Sequence, residues 1–155
     1  MKVRNIMEKD SETLFNLAKN NPPLDVHTPY TYWVIAKHFS DTSFILEQNG
    51  VPIGFITALE TPEFIFIWQI GINERFRGGY WGKYLIENVF NKAKELQKDV
   101  IVTIDKDNIP STKRFTHFFE ENQYEYEIVG NTNIEIKQLD FEITEKEEIY
   151  KIKIK

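Results

Sequence analysis

The stretch that most restricts the fold of this chain is an apolar strand, a glycine-rich turn and an amphipathic helix in direct succession. Residues 64–72 read Phe-Ile-Phe-Ile-Trp-Gln-Ile-Gly-Ile, which is typical of a strand buried on both faces. A polar loop leads to the turn Arg77-Gly78-Gly79-Tyr80-Trp81-Gly82-Lys83. From Leu85, apolar residues recur at helical spacing to about Gln97. This order aims several unpaired backbone N–H groups and the positive end of a helix dipole at one point.

Such a point is an anion site, most naturally for a phosphate. The turn lacks the Gly-Lys-Ser/Thr ending of a P-loop, and no acidic residue follows at the place that a dinucleotide-binding unit requires. Taken alone, the stretch is equally consistent with an ordinary tight turn.

Composition excludes several classes of protein. The chain has 155 residues, and we expect a single domain over residues 1–155. A net charge of −5 argues against nucleic acid or an anionic membrane as the main partner and is compatible with a small cationic substrate. The absence of cysteine excludes disulfides, thiol catalysis and cysteine metal sites. We find no apolar signal region or bilayer-spanning run, and we expect a cytoplasmic protein.

The remaining patterns predict an α+β domain with the element order β-α-α-β-β-β-α-β-α-β-β. Asp10 and Thr28 are predicted to cap the first two helices, with Pro29 opening the second. Asn49-Gly50 predicts a hairpin turn, and Ser111 is predicted to start the last helix. The predicted strands cover residues 3–6, 43–48, 51–59, 64–72, 100–104, 124–129 and 148–154, with residues 134–143 partly extended.

That order, with an Arg-Gly-x-x-x-Gly turn between the fourth strand and the third helix, resembles the Gcn5-related N-acetyltransferases (GNAT). In that family the turn usually reads Gln/Arg-x-x-Gly-x-Gly/Ala and holds the pyrophosphate of acetyl-CoA; Tyr80 stands here where a glycine is usual. The resemblance implies a GNAT-like fold with a central mixed, mostly antiparallel sheet flanked by helices. It also implies acetyl-CoA as co-substrate and no metal. The implied cofactor-binding residues are Ile70, Gly71, Ile72, Arg77, Gly78, Gly79, Tyr80, Trp81, Gly82, Lys83 and Asn108.

A closer resemblance is to the L-2,4-diaminobutyrate acetyltransferases, the acetylating enzymes of ectoine synthesis. Five segments carry it: Leu24-Asp25-x-x-x-Pro29-Tyr30-x-Tyr32, His38-Phe39-x-Asp41-Thr42-Ser43, Phe66-Ile67-Trp68-Gln69-Ile70, Asn108-x-x-Ser111-x-x-x-Phe115 and Glu147-Glu148-Ile149-Tyr150-Lys151-Ile152. The chain departs from that family at His27-Thr28, where Asn-Ser is usual, and at Thr144, where histidine is frequent. The resemblance also implies a homodimer.

Acetyl transfer to an amine requires a deprotonated amine, a polarised thioester carbonyl and an exit for the thiolate. An alkylammonium has a pKa of about 10, so it must first lose a proton to a carboxylate or a water chain. By the resemblance, Asp25 and Glu147 are the catalytic candidates, flanking the ammonium groups of the substrate. The alternatives are a turn-capping role for Asp25 and a solvated charge for Glu147. The sequence leaves open whether Glu145, Glu147 or Glu148 points inward.

A backbone N–H around Ile70 would polarise the carbonyl, in an oxyanion-hole arrangement. The wider family often has a tyrosine as general acid seven residues after the asparagine; here that residue is Phe115. We therefore expect the thiolate, whose thiol has a pKa of roughly 8.5, to leave directly or to be protonated by water.

Aromatic residues are the candidates for the acceptor pocket. Trp68 and Tyr30 are predicted to bind substrate, Trp68 by packing on its cation, although a core position is an equal alternative for Trp68. Gln69 on a buried strand requires a hydrogen-bond partner. His27, His38 and His117 lack metal-ligand spacing and are interpreted as structural, as are Tyr32 and Trp33. Arg75, Arg77 and Lys83 are either phosphate ligands or surface charges.

The leading hypothesis is an acetyl-CoA-dependent N-acetyltransferase for a small diamino acid, with the γ-amine of L-2,4-diaminobutyrate as the favoured acceptor. One alternative is the same chemistry on another small amine, motivated by His27-Thr28 and Thr144. A second is a non-catalytic acyl-CoA-binding or sensing domain, motivated by Tyr80 and Phe115.

Overall fold

The computed structural model describes residues 1–138 and 141–154, which form nine strands and four α-helices. The strands are β1 (Lys2–Asn5), β2 (Phe44–Gln48), β3 (Val51–Glu60), β4 (Phe64–Ile72), β5 (Asp99–Ile104), β6 (Tyr126–Asn131), β7 (Ile134–Gln138), β8 (Phe141–Glu145) and β9 (Glu148–Ile152). The helices are α1 (Ser11–Lys19), α2 (Pro29–His38), α3 (Trp81–Leu96) and α4 (Ile109–Glu121). Short 3-10 turns at Glu8–Asp10, Ser40–Thr42 and Glu74–Phe76 join them.

Seven of the strands form one mixed sheet in the order β1-β2-β3-β4-β5-β9-β6. Among the described residues of this sheet, only the β4–β5 pair is parallel, and the other neighbouring pairs are antiparallel. The predicted fold class is therefore confirmed. The element order differs at one place, because β7 and β8 pair with each other as a separate two-stranded sheet. Sequence analysis predicted one partly extended segment there.

Helices cover both faces of the sheet because the strands alternate apolar side chains between two cores. On β3, Ile56 belongs to the core under α3 and α4, and Phe55 belongs to the core under α1 and α2. The first core contains Leu85, Val89 and Phe90 of α3 and Phe115, Phe118 and Phe119 of α4. The second contains Leu14 of α1 and Tyr32 of α2.

The ends of the elements follow local side-chain chemistry. Thr28 caps α2, its Oγ1 accepting a hydrogen bond from the Thr31 N–H at 3.2 Å. Asn49 and Gly50 both have positive φ, as a two-residue hairpin turn requires. Asp10 is the N-cap residue of α1, as predicted, but its carboxylate makes no hydrogen bond to the helix and accepts instead from Arg4 and the Met7 N–H.

The last α-helix begins earlier than predicted. Asn108 caps it, its Oδ1 accepting from the Ser111 N–H at 3.2 Å, so Pro110 lies in the first turn. Proline is tolerated there because the N–H groups of a first turn have no partner within the helix.

The functional region arises where β4 and β5 part. Their pairing ends at Ile67 and Val102, and a register shift against β3 leaves Trp68 in a bulge between Ile67 and Gln69. Beyond that point β4 has β3 on one side and, among the described residues, no strand on the other. The interpretation of β4 as buried on both faces is therefore wrong: Trp68 is 40% exposed at the cleft.

Candidate active site

Two cavities lie side by side along β4 and α4. One, of about 540 Å³, lies in the gap between β4 and β5 and is bordered by Asp25 and Glu147; we call it the acidic cavity. The other, of about 790 Å³, lies between the glycine-rich turn and α4; we call it the turn cavity. Ile70 borders the acidic cavity and Ile72 borders the turn cavity, so the end of β4 beyond its pairing with β5 lines both cavities.

The backbone of the glycine-rich turn faces the turn cavity. Gly78 has a φ of +81°, a conformation that favours glycine. At Gly82, an added Cβ would lie 3.1 Å from Ile72 Cδ1, so the start of α3 packs closely on β4. The N–H groups of the first turn of α3 have no acceptor within the helix, which makes this an anion-binding position. The Tyr80 side chain is 75% exposed and leaves the backbone of the turn accessible.

The basic side chains near the turn cavity differ in the groups that they bind. Arg77 Nε donates to the Ile72 carbonyl at 3.0 Å, and its Nη2 lies 3.4 and 3.3 Å from the carbonyls of Asn21 and Pro22. Lys83 Nζ pairs with Glu121 at 3.0 Å. Arg75 is exposed and does not line the cavity.

One amide holds the loop between α1 and α2 against the acidic cavity. Gln69 Nε2 donates to the Asp25 carbonyl at 2.6 Å, and Gln69 Oε1 accepts from the Tyr32 hydroxyl at 2.9 Å. The Tyr32 oxygen also accepts from the His27 N–H at 3.4 Å. Burial raises the pKa of Tyr32, so its hydroxyl remains a donor. Gln69 thus has the partners that its burial requires.

An aromatic wall bounds the acidic cavity. The His27 ring lies 4.7 Å from the Trp68 ring and 5.8 Å from the Tyr32 ring, measured between centroids. Because Trp68 stands in the bulge, its ring faces the cavity, where an aromatic face attracts a cation.

A fixed carboxylate forms the opposite wall. Thr103 at the end of β5 donates from Oγ1 to Glu147 Oε2 at 2.6 Å. The Glu147 backbone is held as well, since its N–H donates to Thr132 Oγ1 and its carbonyl accepts from the Thr132 N–H, both at 2.9 Å. The neighbouring Glu148 carboxylate accepts instead from the Tyr150 hydroxyl at 3.4 Å. The Glu145 and Thr144 side chains lie outside the described part of the structure.

Most of the sequence-predicted site residues are gathered in these two cavities. Asp25, Glu147, Trp68, Ile70 and Asn108 border the acidic cavity, and Ile72, Arg77, Gly78, Gly79, Tyr80, Gly82 and Lys83 border the turn cavity. Gly71 is buried between them in β4, with Leu24 and Phe55 packed against it, and Trp81 begins α3 beside Tyr84.

Tyr30 is the exception. It is 72% exposed and stacks on Trp33 at 5.9 Å, away from the acidic cavity. Two residues along a helix turn the side chain through about 200°, so Tyr30 and Tyr32 face opposite ways. The structure brings Tyr32, which sequence analysis interpreted as helix packing, to the site through Gln69.

Two further residues were not identified from the sequence. Thr103 is the one polar residue in the run Val100–Ile104, a signal that was available. Arg114, which lines the turn cavity, gave no signal in the sequence, because α4 acquires its position only through tertiary packing. His27, interpreted from the sequence as structural and as a departure from the resembled family, lies in the aromatic wall of the acidic cavity.

The described ranges contain neither a metal-binding cluster nor a helix that could span a membrane. No group of three or more histidine, aspartate or glutamate side chains there could hold a metal ion. His38 packs edge-on to Trp33 at 6.0 Å, and the His117 side chain is 78% exposed. None of the described helices has the length and apolar character needed to cross a bilayer.

Comparison with known proteins agrees with this architecture. The L-2,4-diaminobutyric acid acetyltransferase of Vibrio parahaemolyticus is 34% identical over 110 residues, which are 68% of this chain and 61% of that protein. The chain thus spans about three-fifths of the length of that relative. The enzyme of the same name from Virgibacillus pantothenticus is 28% identical over 151 residues, covering 94% of this chain and 92% of the relative.

A solved structure shares the fold over nearly the whole chain. It is the diaminobutyrate acetyltransferase of Paenibacillus lautus in complex with its substrate L-2,4-diaminobutyric acid and coenzyme A. The TM-score is 0.83 at 24% identity, over 98% of this chain and 93% of that one.

A family model supports the same assignment. The model described as the acetyltransferase (GNAT) family matches residues 7–121, which contain α1 to α4, the glycine-rich turn and the parted strands β4 and β5. The chain therefore belongs to the GNAT family of acetyltransferases.

Proposed function

We propose that this chain transfers the acetyl group of acetyl-CoA to the γ-amine of L-2,4-diaminobutyrate. The observation that carries the proposal is the hydrogen-bonded pair of Thr103 and Glu147, which fixes a carboxylate across the acidic cavity from the unpaired end of β4. A fixed carboxylate beside a strand with free backbone groups combines a proton acceptor with oxyanion donors. The turn cavity next to it is suited to the phosphates of the cofactor.

The reaction needs one proton removed before attack. Glu147, with Asp25 as the second candidate, accepts a proton from the γ-ammonium directly or through water. The free amine then attacks the thioester carbonyl, so that a C–N bond forms, and the carbon–sulfur bond breaks as the tetrahedral intermediate collapses. A backbone N–H around Ile70 stabilises the oxyanion, and the thiolate leaves as such or takes a proton from water. Phe115, buried in the core beside the cavity, has no proton to give.

A diamino acid suits the charges of the acidic cavity. Among the described residues, three carboxylates border the cavity, and one of them, Asp105, accepts from the Asp107 N–H at 2.9 Å. The two ammonium groups of the substrate match the other two, Asp25 and Glu147, and the Trp68–His27 wall provides an aromatic surface for a cation. The relatives from Vibrio parahaemolyticus and Virgibacillus pantothenticus are named for this substrate. By the same resemblance we propose a role in ectoine synthesis.

The proposal is tested by measuring CoA thiol release from acetyl-CoA with L-2,4-diaminobutyrate, beside lysine, ornithine, diaminopropionate and a polyamine. We expect rapid turnover confined to diaminobutyrate. Turnover only on another amine would support N-acetyl transfer and reject L-2,4-diaminobutyrate as the acceptor. Binding of acetyl-CoA without turnover on any amine would reject the enzyme and favour a sensor, an alternative that the acetyltransferase names of the relatives disfavour.

One observation favours a different small amine as the second candidate. The His27 ring occupies the wall next to Trp68, at a position where the resembled family usually has asparagine. An imidazole is larger than a carboxamide and presents different donor and acceptor atoms, so it alters the shape and the hydrogen-bonding groups of the cavity. The amine panel separates this candidate from the first.

We further propose that residues 1–155 act as a single domain, in the cytoplasm and as a homodimer. The pairing of β9 with both β5 and β6 supports a single domain, since it ties the C-terminal part into the main sheet. Acetyl-CoA as co-substrate supports the cytoplasm. Exposed Ile128 and Val129 on the edge strand β6 support self-association. Light scattering after gel filtration tests the dimer, and a monomer at micromolar concentration would reject it.

A further inference from the structure

The cations at the turn cavity do not all remain available to a phosphate. Arg77, at the head of the turn, donates to the backbone carbonyls of Ile72, Asn21 and Pro22. These three bonds tie the glycine-rich turn to the α1–α2 loop. Lys83 is paired with Glu121 at the rim. The two basic residues that the turn itself contributes are thus engaged within the protein.

Arg114 of α4 is in a different situation. Its side chain lines the turn cavity, and its Cδ and Nε lie 3.4 Å from the position that a Cβ on Gly82 would occupy. It therefore runs along the first turn of α3, where the Lys83 N–H donates to the Tyr80 carbonyl at 3.1 Å and the N–H groups before it have no acceptor within the helix. It makes no hydrogen bond or ion pair with any residue in the ranges 1–138 and 141–154.

The surroundings of this guanidinium disfavour its charge. Burial lowers the pKa of Arg114, and the like charge of Arg77 lowers it further. Glu120 and Glu121 also line this cavity, but Glu121 pairs with Lys83 and Glu120 accepts from the Tyr126 hydroxyl at 3.4 Å. A half-buried cation beside a second cation, with no ion pair in the described ranges, is costly in the free protein. An anion in the turn cavity would offset both the burial of the Arg114 charge and its repulsion from Arg77, because it would provide the missing counter-charge. The positive end of the α3 dipole would stabilise the same anion.

We propose that Arg114 binds the pyrophosphate of acetyl-CoA, and that Arg77 is a positioning residue that holds the α1–α2 loop. This inference rests on the proposed function, because it takes acetyl-CoA as the cofactor. The guanidinium is planar and presents its N–H groups as a fork, which matches two phosphate oxygens. The position beside Gly82, at the start of α3, favours the pyrophosphate over the 3′-phosphate of the cofactor.

The test measures the dissociation constants of CoA, dephospho-CoA and pantetheine by isothermal titration, for the wild-type chain and for Arg114→Leu, Arg114→Lys and Arg75→Leu. We expect Arg114→Leu to weaken CoA and dephospho-CoA equally, by roughly tenfold to a hundredfold, and to leave pantetheine unchanged. Arg114→Lys keeps the charge and loses the fork, so a smaller loss is expected. Arg75→Leu removes the same unit of charge from an exposed position outside the cavity and should bind as the wild type does.

Each other outcome has a definite meaning. Equal CoA affinity for the wild type and a folded Arg114→Leu overturns the inference and leaves the proposed function intact. A loss seen with CoA and absent with dephospho-CoA assigns Arg114 to the 3′-phosphate and rejects the pyrophosphate. Failure of the wild type to bind CoA rejects the proposed function itself. Should Arg114→Leu not fold, unchanged CoA affinity in Arg114→Lys would overturn the role of the guanidinium fork.

Discussion

At the scale of single residues, Glu147 lies in an acidic stretch of the sequence and yet has a fixed carboxylate. Thr103 orients it from β5, and the hydroxyl and the backbone N–H of Thr132 hold its main chain. If Glu147 accepts the proton of the amine, Glu147→Gln should lower kcat by about 10²- to 10⁴-fold, since general-base catalysis contributes that much. CoA thiol release under saturating substrates measures this.

The neighbouring carboxylate provides the control for that variant. Glu148→Gln removes one negative charge one residue away, on β9, where the side chain contacts Tyr150 and not the acidic cavity. It should retain nearly full activity. Equal losses in the two variants would assign the effect to net charge and reject Glu147 as the base.

Gln69 of β4 holds the α1–α2 loop and α2 through two hydrogen bonds, one to the Asp25 carbonyl and one from the Tyr32 hydroxyl. Gln69→Leu leaves the Tyr32 hydroxyl and the Asp25 carbonyl without this partner, which should cost about 1–3 kcal/mol of unfolding free energy. The KM for the amine should rise more than the KM for acetyl-CoA, because the loop carries Asp25 and His27. Urea denaturation and steady-state kinetics measure the two effects, with the exposed Gln48→Leu as control. A proportional rise in both KM values would contradict a local role.

At the scale of elements, the close packing of β4 on the α1–α2 loop depends on Gly71. An added Cβ would lie 2.6 Å from Leu24 Cδ2 and 3.0 Å from Phe55 Cε1, so the loop or the ring has to move. Gly71→Ala should therefore destabilise the fold by about 1–3 kcal/mol, the usual cost of overpacking. Gly130→Ala, whose new Cβ would meet nothing closer than Ile149 Cδ1 at 4.0 Å, should be nearly neutral. Similar urea midpoints for the two variants would refute this account.

Elements also show what the sequence determines locally. The bounds of β4 were predicted correctly because a run of apolar residues, interrupted by Gln69 alone, extends from Phe64 to Ile72 between two polar turns. The glycine-rich turn is recognisable because its glycines stand together between a strand and a helix. The bulge at Trp68 was not predicted, since it depends on how β3 and β4 align, and no residue of β4 encodes that alone. The positions of Tyr32 and Arg114 at the candidate site likewise depend on tertiary packing and could not be predicted from the sequence.

At the scale of the whole molecule, stability should depend on pH through the link between Arg4 of β1 and Asp10 before α1. Burial alone would raise the pKa of the Asp10 carboxyl, but the hydrogen bonds from Arg4 and the Met7 N–H, with the charge of Arg4, hold that pKa below its ordinary value of 3.8. The folded protein therefore binds fewer protons here than the unfolded chain, so the stabilisation is complete above that ordinary value and is lost as the pH falls through the folded-state pKa.

Asp10→Asn provides the measurement. At pH 7 the variant should be less stable by about 1–3 kcal/mol, because a buried charge-assisted hydrogen bond is weakened. Urea midpoints measured from pH 7 down to pH 3 should converge for the wild type and the variant at the acid end. A constant difference over the whole range would mean that the Asp10 carboxyl does not titrate in this window.

The place of β9 in the sheet has a consequence for synthesis on the ribosome. β9 follows β5 and β6 along the chain and yet lies between them, so within the described ranges β6 joins the sheet only through β9. A nascent chain that has emerged up to α4 can bury the faces of α3 and α4 on β1 to β5, while β6 still lacks the strand beside it. Glu147 directly precedes β9, so its carboxylate reaches Thr103 in the same final step. The sheet and the acidic cavity are therefore completed together, at the end of synthesis.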